Sequence, residues 1–84
     1  MSETKKDNYK TERERIRSTV RAKDRNLIVE FDDARVPNWI KFRIDDPATG
    51  AIIGVSGEEH VSVIADWTED HLAQYVSAIS NNRI

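Results

Sequence analysis

The chain contains no cysteine, three glycines, two prolines and one methionine in 84 residues. Without cysteine there are no disulfide staples, no thiolate metal ligands and no thiol nucleophile. The expected compartment is cytoplasmic, since disulfides mark oxidising environments. No apolar run approaches the roughly 18 residues of a membrane span. The N-terminus is charged and lacks the apolar core of a secretory signal, so neither membrane insertion nor export is expected. Aromatic residues make up 7% of the chain, six in all.

Motifs of chemistry are equally scarce. His60 and His71 show no H-x-x-x-H spacing, and three or four convergent ligands are needed for a metal. No metal or other cofactor is therefore expected. Ser56, Ser62 and Ser77 lack a G-x-S-x-G setting. Gly54-Val55-Ser56-Gly57 is too poor in glycine for a phosphate loop, and no lysine follows it. Asp66, Glu69 and Asp70 cluster in sequence, but helix capping accounts for them. No catalytic residue is nominated, and an enzyme is not expected.

What the chain does have is charge, unevenly spread. Residues 1–26 hold nine basic and five acidic side chains, net +4, and residues 27–84 hold four basic and ten acidic, net −6. A basic leader is joined to an acidic body.

The clearest structural signal lies near the C-terminus. Leu72, Tyr75, Val76 and Ile79 follow i, i+3, i+4, i+7, one apolar stripe of an amphipathic helix. Thr68 is the favoured N-cap, with Trp67 and Leu72 as a hydrophobic staple and Glu69 and Asp70 in the first turn, where the helix dipole favours negative charge. Asp66 with Glu69 offers a competing cap. Asn81 and Asn82 are candidate stop residues. The helix is expected over 68–81.

Upstream, residues 1–10 read as a disordered tail. Thr11 to Glu14 has the T-x-x-E form of a capping box, which predicts a helix over 11–24. Ile16 and Val20, with Tyr9 nearby, give it a thin apolar stripe. Lys10, Arg13, Arg17 and Arg21 form a basic stripe beside it, and Glu14 can pair with Arg17.

From Asn26 the period changes to two. Strands are expected over 26–32, 39–45, 51–56 and 60–65, separated by turns at 33–38, 45–50 and 56–59. Short loops argue an antiparallel meander. The fold class expected is α+β: an N-terminal helix, a four-stranded antiparallel meander and a C-terminal helix on one sheet face, in a single small domain over 11–84.

A simple register puts Val29, Phe42, Ile53 and Val63 in one inner row and Phe31, Ile40, Val55 and Val61 in the next. The outer rows are then Ile28, Arg43, Ile52 and Ile64; Glu30, Lys41, Gly54 and Ser62; and Asp32, Trp39, Ser56 and His60. Three isoleucines on an outer face call for a cover. Either the N-terminal helix lays Ile16 and Val20 across them, or a partner or second subunit does. Trp39, with Lys41 and Arg43 on its strand and face, is the residue type that anchors interfaces.

Two functions compete. The first is a non-enzymatic protein–protein interaction or regulatory module, such as an inhibitor carried by a phage or mobile element. It would bind another protein or a second copy through Trp39, Lys41, Arg43, Ile28, Ile52 and Ile64. The second is a small nucleic-acid-binding protein, with Lys10, Arg13, Arg17 and Arg21 on phosphates and a steep salt dependence. The acidic body opposes the second.

Overall fold

The computed structural model describes residues 3–32 and 38–80, with side chains from Lys10 onward. Residues 33–37 of the turn expected over 33–38, the stop residues Asn81 and Asn82 and the side chain of Tyr9 lie outside the described residues. Seven elements follow in order: α1 (Glu3–Lys23), β1 (Ile28–Asp32), β2 (Trp39–Asp46), β3 (Ala51–Val55), β4 (Glu59–His60), α2 (Val61–Asp66) and α3 (Glu69–Ile79). The architecture is α+β, with a four-stranded antiparallel sheet between the first and last helices.

α1 starts at Glu3, ahead of the helix expected over 11–24 and within the stretch read as a tail. No glycine or proline precedes Thr11, so nothing in the chain breaks a helix running back from it. Thr11 is therefore an interior residue and its T-x-x-E does not mark the start. Glu12 is buried instead, and Arg15 Nη1 donates to its Oε1 at 3.1 Å. Arg17 pairs with Glu14 at 3.5 Å as expected. After α1 the Asp24 side chain takes the Asn26 amide and its carbonyl takes the Leu27 amide, which turns the chain into β1.

β1 pairs β2 with Val29 opposite Ile44 and Phe31 opposite Phe42. This is two residues from the expected register. A two-residue shift leaves every side chain on its face, so the apolar pattern cannot distinguish the two pairings. Between β2 and β3, Ala51 turns in through Asp46, whose Oδ1 accepts from the Ala48 amide and whose carbonyl accepts from Gly50 at φ 74°.

The β2–β3 ladder then breaks. Arg43 faces Val55 and Ile44 faces Gly54, but Asp45 faces Ile52, so Ile53 is an extra residue. Ile53 and Gly54 are consecutive and both buried. The bulge reverses the expected faces of Gly54, Val55 and Ser56: Gly54 and Ser56 are inside and Val55 is outside. Gly54 has a reason to be glycine, because a Cβ there would sit 2.9 Å from the Ile79 carbonyl oxygen at the end of α3.

Ser56 to Glu59 is not a reversing turn. Ser56 donates its amide to Phe42 O at 2.8 Å, and its Oγ accepts from the Phe42 amide at 2.8 Å. The chain continues in the same direction along β2, and β4 pairs Glu59 with Ile40 and His60 with Trp39. The fourth strand thus neighbours β2 rather than β3.

The expected strand over 60–65 is a correction: Val61–Asp66 is helix α2. Among the described residues β2 begins at Trp39, so His60 is its last described partner on β4, and the Val61 amide goes to Asn38 O at 2.8 Å. A helix then satisfies its backbone internally, despite the β-branched composition. His60 Nδ1 caps it by accepting from the Ser62 amide at 3.2 Å. Ile64 is the buried residue, with Val61 at helical spacing, where a strand would have buried Val61 and Val63. α3 follows with Thr68 as N-cap, its hydroxyl accepting from the His71 amide at 3.1 Å.

One hydrophobic cluster unites these elements. Ile16 and Val20 of α1, Leu27, Val29, Ile40, Phe42, Ile44 and Ile53 at the sheet, Ile64 of α2, and Leu72 and Val76 of α3 are all buried in it. α1 is therefore docked, but on the side of the inner residues and not across the outer isoleucines.

Candidate functional site

The register places Ile28, Asp45 and Ile52 in one row of the outer sheet face and Glu30, Arg43 and Val55 in the next. Asp32 then stands opposite Lys41, and Trp39 opposite His60. The large apolar members of these rows are exposed: Ile28 by 45%, Ile52 by 56%, Val55 by 52% and Trp39 by 39%. Ile52 and Val55 on β3 and Ile28 on β1 thus flank Asp45 and Arg43 at one end, and a Trp39–His60 pair with ring centres 5.4 Å apart lies at the other.

The charges alternate in sign. Arg43 Nε donates to Asp45 Oδ1 at 3.0 Å, and the cross-strand neighbours Glu30–Arg43 and Asp32–Lys41 are opposite pairs. A shallow hollow lined by Glu30, Asp32, Lys41, Arg43 and Val55 occupies the middle of this face.

Of the six partner-binding residues nominated from sequence, five share the face: Ile28, Trp39, Lys41, Arg43 and Ile52. Ile64 does not. It is 1% exposed, on α2, in the core. Its assignment followed from the strand expected there and falls with it. Val55 takes its place on the face; the signal was Gly54, since glycine within a strand marks a bulge or close backbone approach.

The arginine stripe of α1 is only partly turned to solvent. The guanidinium groups of Arg13 and Arg17 lie 5.3 and 5.0 Å from the Phe31 ring centre, in cation–π contact. Lys10 and Arg21 are exposed. Arg15, outside the stripe, is the structural arginine. It donates through Nη1 to Ile64 O at 2.9 Å, through Nη2 to Trp67 O at 2.6 Å and through Nε to Glu69 Oε2 at 3.1 Å. No spacing in the sequence distinguishes it from its neighbours, because these three partners are 49 to 54 residues away and its local partner Glu12 is of the kind every helical arginine can have.

The histidines have local roles. The Ser62 hydroxyl meets the same His60 Nδ1 that accepts the Ser62 amide, so this serine–histidine contact at 2.8 Å belongs to the α2 cap. His71 stacks on Trp67 with ring centres 4.6 Å apart, and Trp67 in turn meets Tyr75. Tyr75 Oη accepts from the Gly57 amide at 3.1 Å. Among the described residues no three of His, Asp and Glu gather to hold a metal ion, and no helix is long and apolar enough to cross a membrane.

No family model, no curated protein and no solved structure matches this chain.

Proposed function

We propose that the chain is a non-enzymatic binding module that docks another protein on the outer face of its sheet. One observation carries this reading: Ile52 and Val55 of β3, and Ile28 across Asp45 on β1, share one sheet face and are about half exposed, while the buried residues of the described helices lie in the opposite cluster. Exposed apolar side chains interleaved with charged ones are the usual make-up of a non-obligate protein interface. Trp39 at the far end is the residue type enriched at interface anchors. The alternating charges of Glu30, Arg43, Asp32 and Lys41 set register and exclude partners of the wrong pattern.

Nucleic acid is the less supported partner. The charges of the face include three carboxylates, Glu30, Asp32 and Asp45, which repel phosphate.

A photo-crosslinking amino acid placed at position 52 tests the reading, with position 74 on the exposed side of α3 as the reference. The expected result, in cells that express the chain naturally, is a discrete protein adduct from position 52, lost on Trp39→Ala with Arg43→Ala, and none from position 74. Adducts from position 74 alone, or adducts to nucleic acid, would overturn it.

A further inference from the structure

β1 is an edge strand. Among the described residues it pairs with β2 alone, so alternate amides and carbonyls along Ile28–Asp32 point away from the sheet. α1 and β1 are joined by a short loop and run antiparallel, which lays the arginines of α1 along this edge. Arg17 lies over Phe31. One turn further on, Arg21 lines a hollow of about 80 Å³ together with Arg17, Leu27, Ile28 and Val29. Arg21 is exposed, and the Arg17–Glu14 pair joins two exposed side chains at 3.5 Å, an arrangement that contributes little and yields to an incoming carboxylate.

The spacing of this row matches a strand. Helix residues four apart are separated by about 6 Å along the axis, and alternate strand residues by about 6.6–6.8 Å. A strand added to β1 directs every second side chain to the helix side, one towards Arg17 and the next towards Arg21. The side chains between face the other way, beside Glu30 and Asp32.

We propose that the β1 edge accepts an extended segment of a partner protein that carries carboxylates at alternate positions, with basic or apolar side chains between them. Main-chain bonds to the edge supply affinity, and the arginine row supplies the choice of sequence. A second copy of this chain does not fit through β1, because its helix-side residues Leu27, Val29 and Phe31 carry no carboxylate. A nucleic-acid strand brings phosphates to Arg17 and Arg21 but no main-chain donors to the edge, and it meets Glu30 and Asp32. This site is separate from the outer sheet face, and neither proposal depends on the other.

The test is an NMR titration of the full chain with a blocked ten-residue peptide in which Glu alternates with Val and Lys. Two controls accompany it: the same residues reordered so that the glutamates are contiguous, and the alternating peptide N-methylated along one edge. The expected result is shifts at the amides of Ile28–Asp32 and the Nε signals of Arg17 and Arg21. The contiguous peptide should bind several-fold more weakly and the N-methylated one not measurably. Arg17→Gln with Arg21→Gln should weaken the alternating peptide about fivefold, the size expected for two exposed ion pairs. If that variant fails to fold, the N-methylated peptide decides on the unaltered chain. Equal binding of the alternating and contiguous peptides, undiminished binding of the N-methylated one, or shifts confined to Ile52 and Val55 would overturn the proposal. Displacement of the peptide by a single-stranded oligonucleotide that itself leaves the β1 amides unshifted would overturn it too.

Discussion

The Arg15 guanidinium reaches two backbone carbonyls at the α2–α3 junction and carboxylates on either side, Glu12 of its own helix and Glu69 of α3. Arg15→Met keeps the apolar stem of the side chain and removes all four contacts. Withdrawing charged donors from half-buried acceptors is expected to cost about 2–3 kcal/mol in urea denaturation. Arg15→Lys should recover only part, since one ammonium cannot serve a planar fork of acceptors. Gly54 makes a second single-residue case. Gly54→Ala drives a Cβ against the backbone of Ile79 and should cost about 1–3 kcal/mol. Gly57→Ala, whose Cβ meets nothing nearer than the flexible Glu59 carboxylate at 4.0 Å, should stay within about 0.5 kcal/mol. The role of Arg15 was not legible in the sequence, and at Gly54 the glycine itself was a signal of close approach but its neighbour Ile79 was not. Both depend on partners brought in from remote parts of the chain, and local spacing carries no record of those.

The helices and strands were legible to different depths. α3 was readable in detail, because its stripe, its Thr68 cap and its acidic first turn are all local and agree. Thr68→Ala should cost about 1 kcal/mol by removing the acceptor for the His71 amide. The strands showed their faces but not their pairing, since a shift by two residues preserves the alternation. α2 carries strand propensity in Val61-Ser62-Val63-Ile64, and what favours the helix is non-local or lies outside that propensity: the ladder of described pairs with β2 ends at His60, which caps α2, and Ile64 enters the core. Two substitutions separate the alternatives by chemical denaturation. Ile64→Ala should cost about 2–5 kcal/mol, as for a buried isoleucine, and Val63→Ala, on an exposed position of α2, less than about 0.5 kcal/mol. A strand over 60–65 would reverse that order.

At the scale of the whole molecule the two sides of the sheet differ. The inner side shares one buried cluster with α1, α2 and α3, and the outer side keeps Ile28, Ile52 and Val55 exposed between charges. The sequence placed three isoleucines on the outer face and called for a cover; Ile64 is in the core, and Ile28 and Ile52 are the two that stay exposed. The sequence did not show that α1 goes to the inner side, because the thin stripe of Ile16 and Val20 suits either face, and only the finished core selects one. Ile52→Lys, which sets an ammonium opposite Asp45, is therefore expected to change the stability of the chain by less than about 1 kcal/mol while reducing adduct formation from a crosslinker at position 55.

The most direct test is methyl NMR of the dilute chain with a soluble paramagnetic chelate, which attenuates the signals of solvent-accessible methyl groups. The expected result is strong attenuation for Ile28 and Ile52 and sparing of Ile16, Ile44 and Ile64. Protection of Ile28 and Ile52 in a monomer would contradict an open outer face, and with it the binding surface on which the proposed function rests.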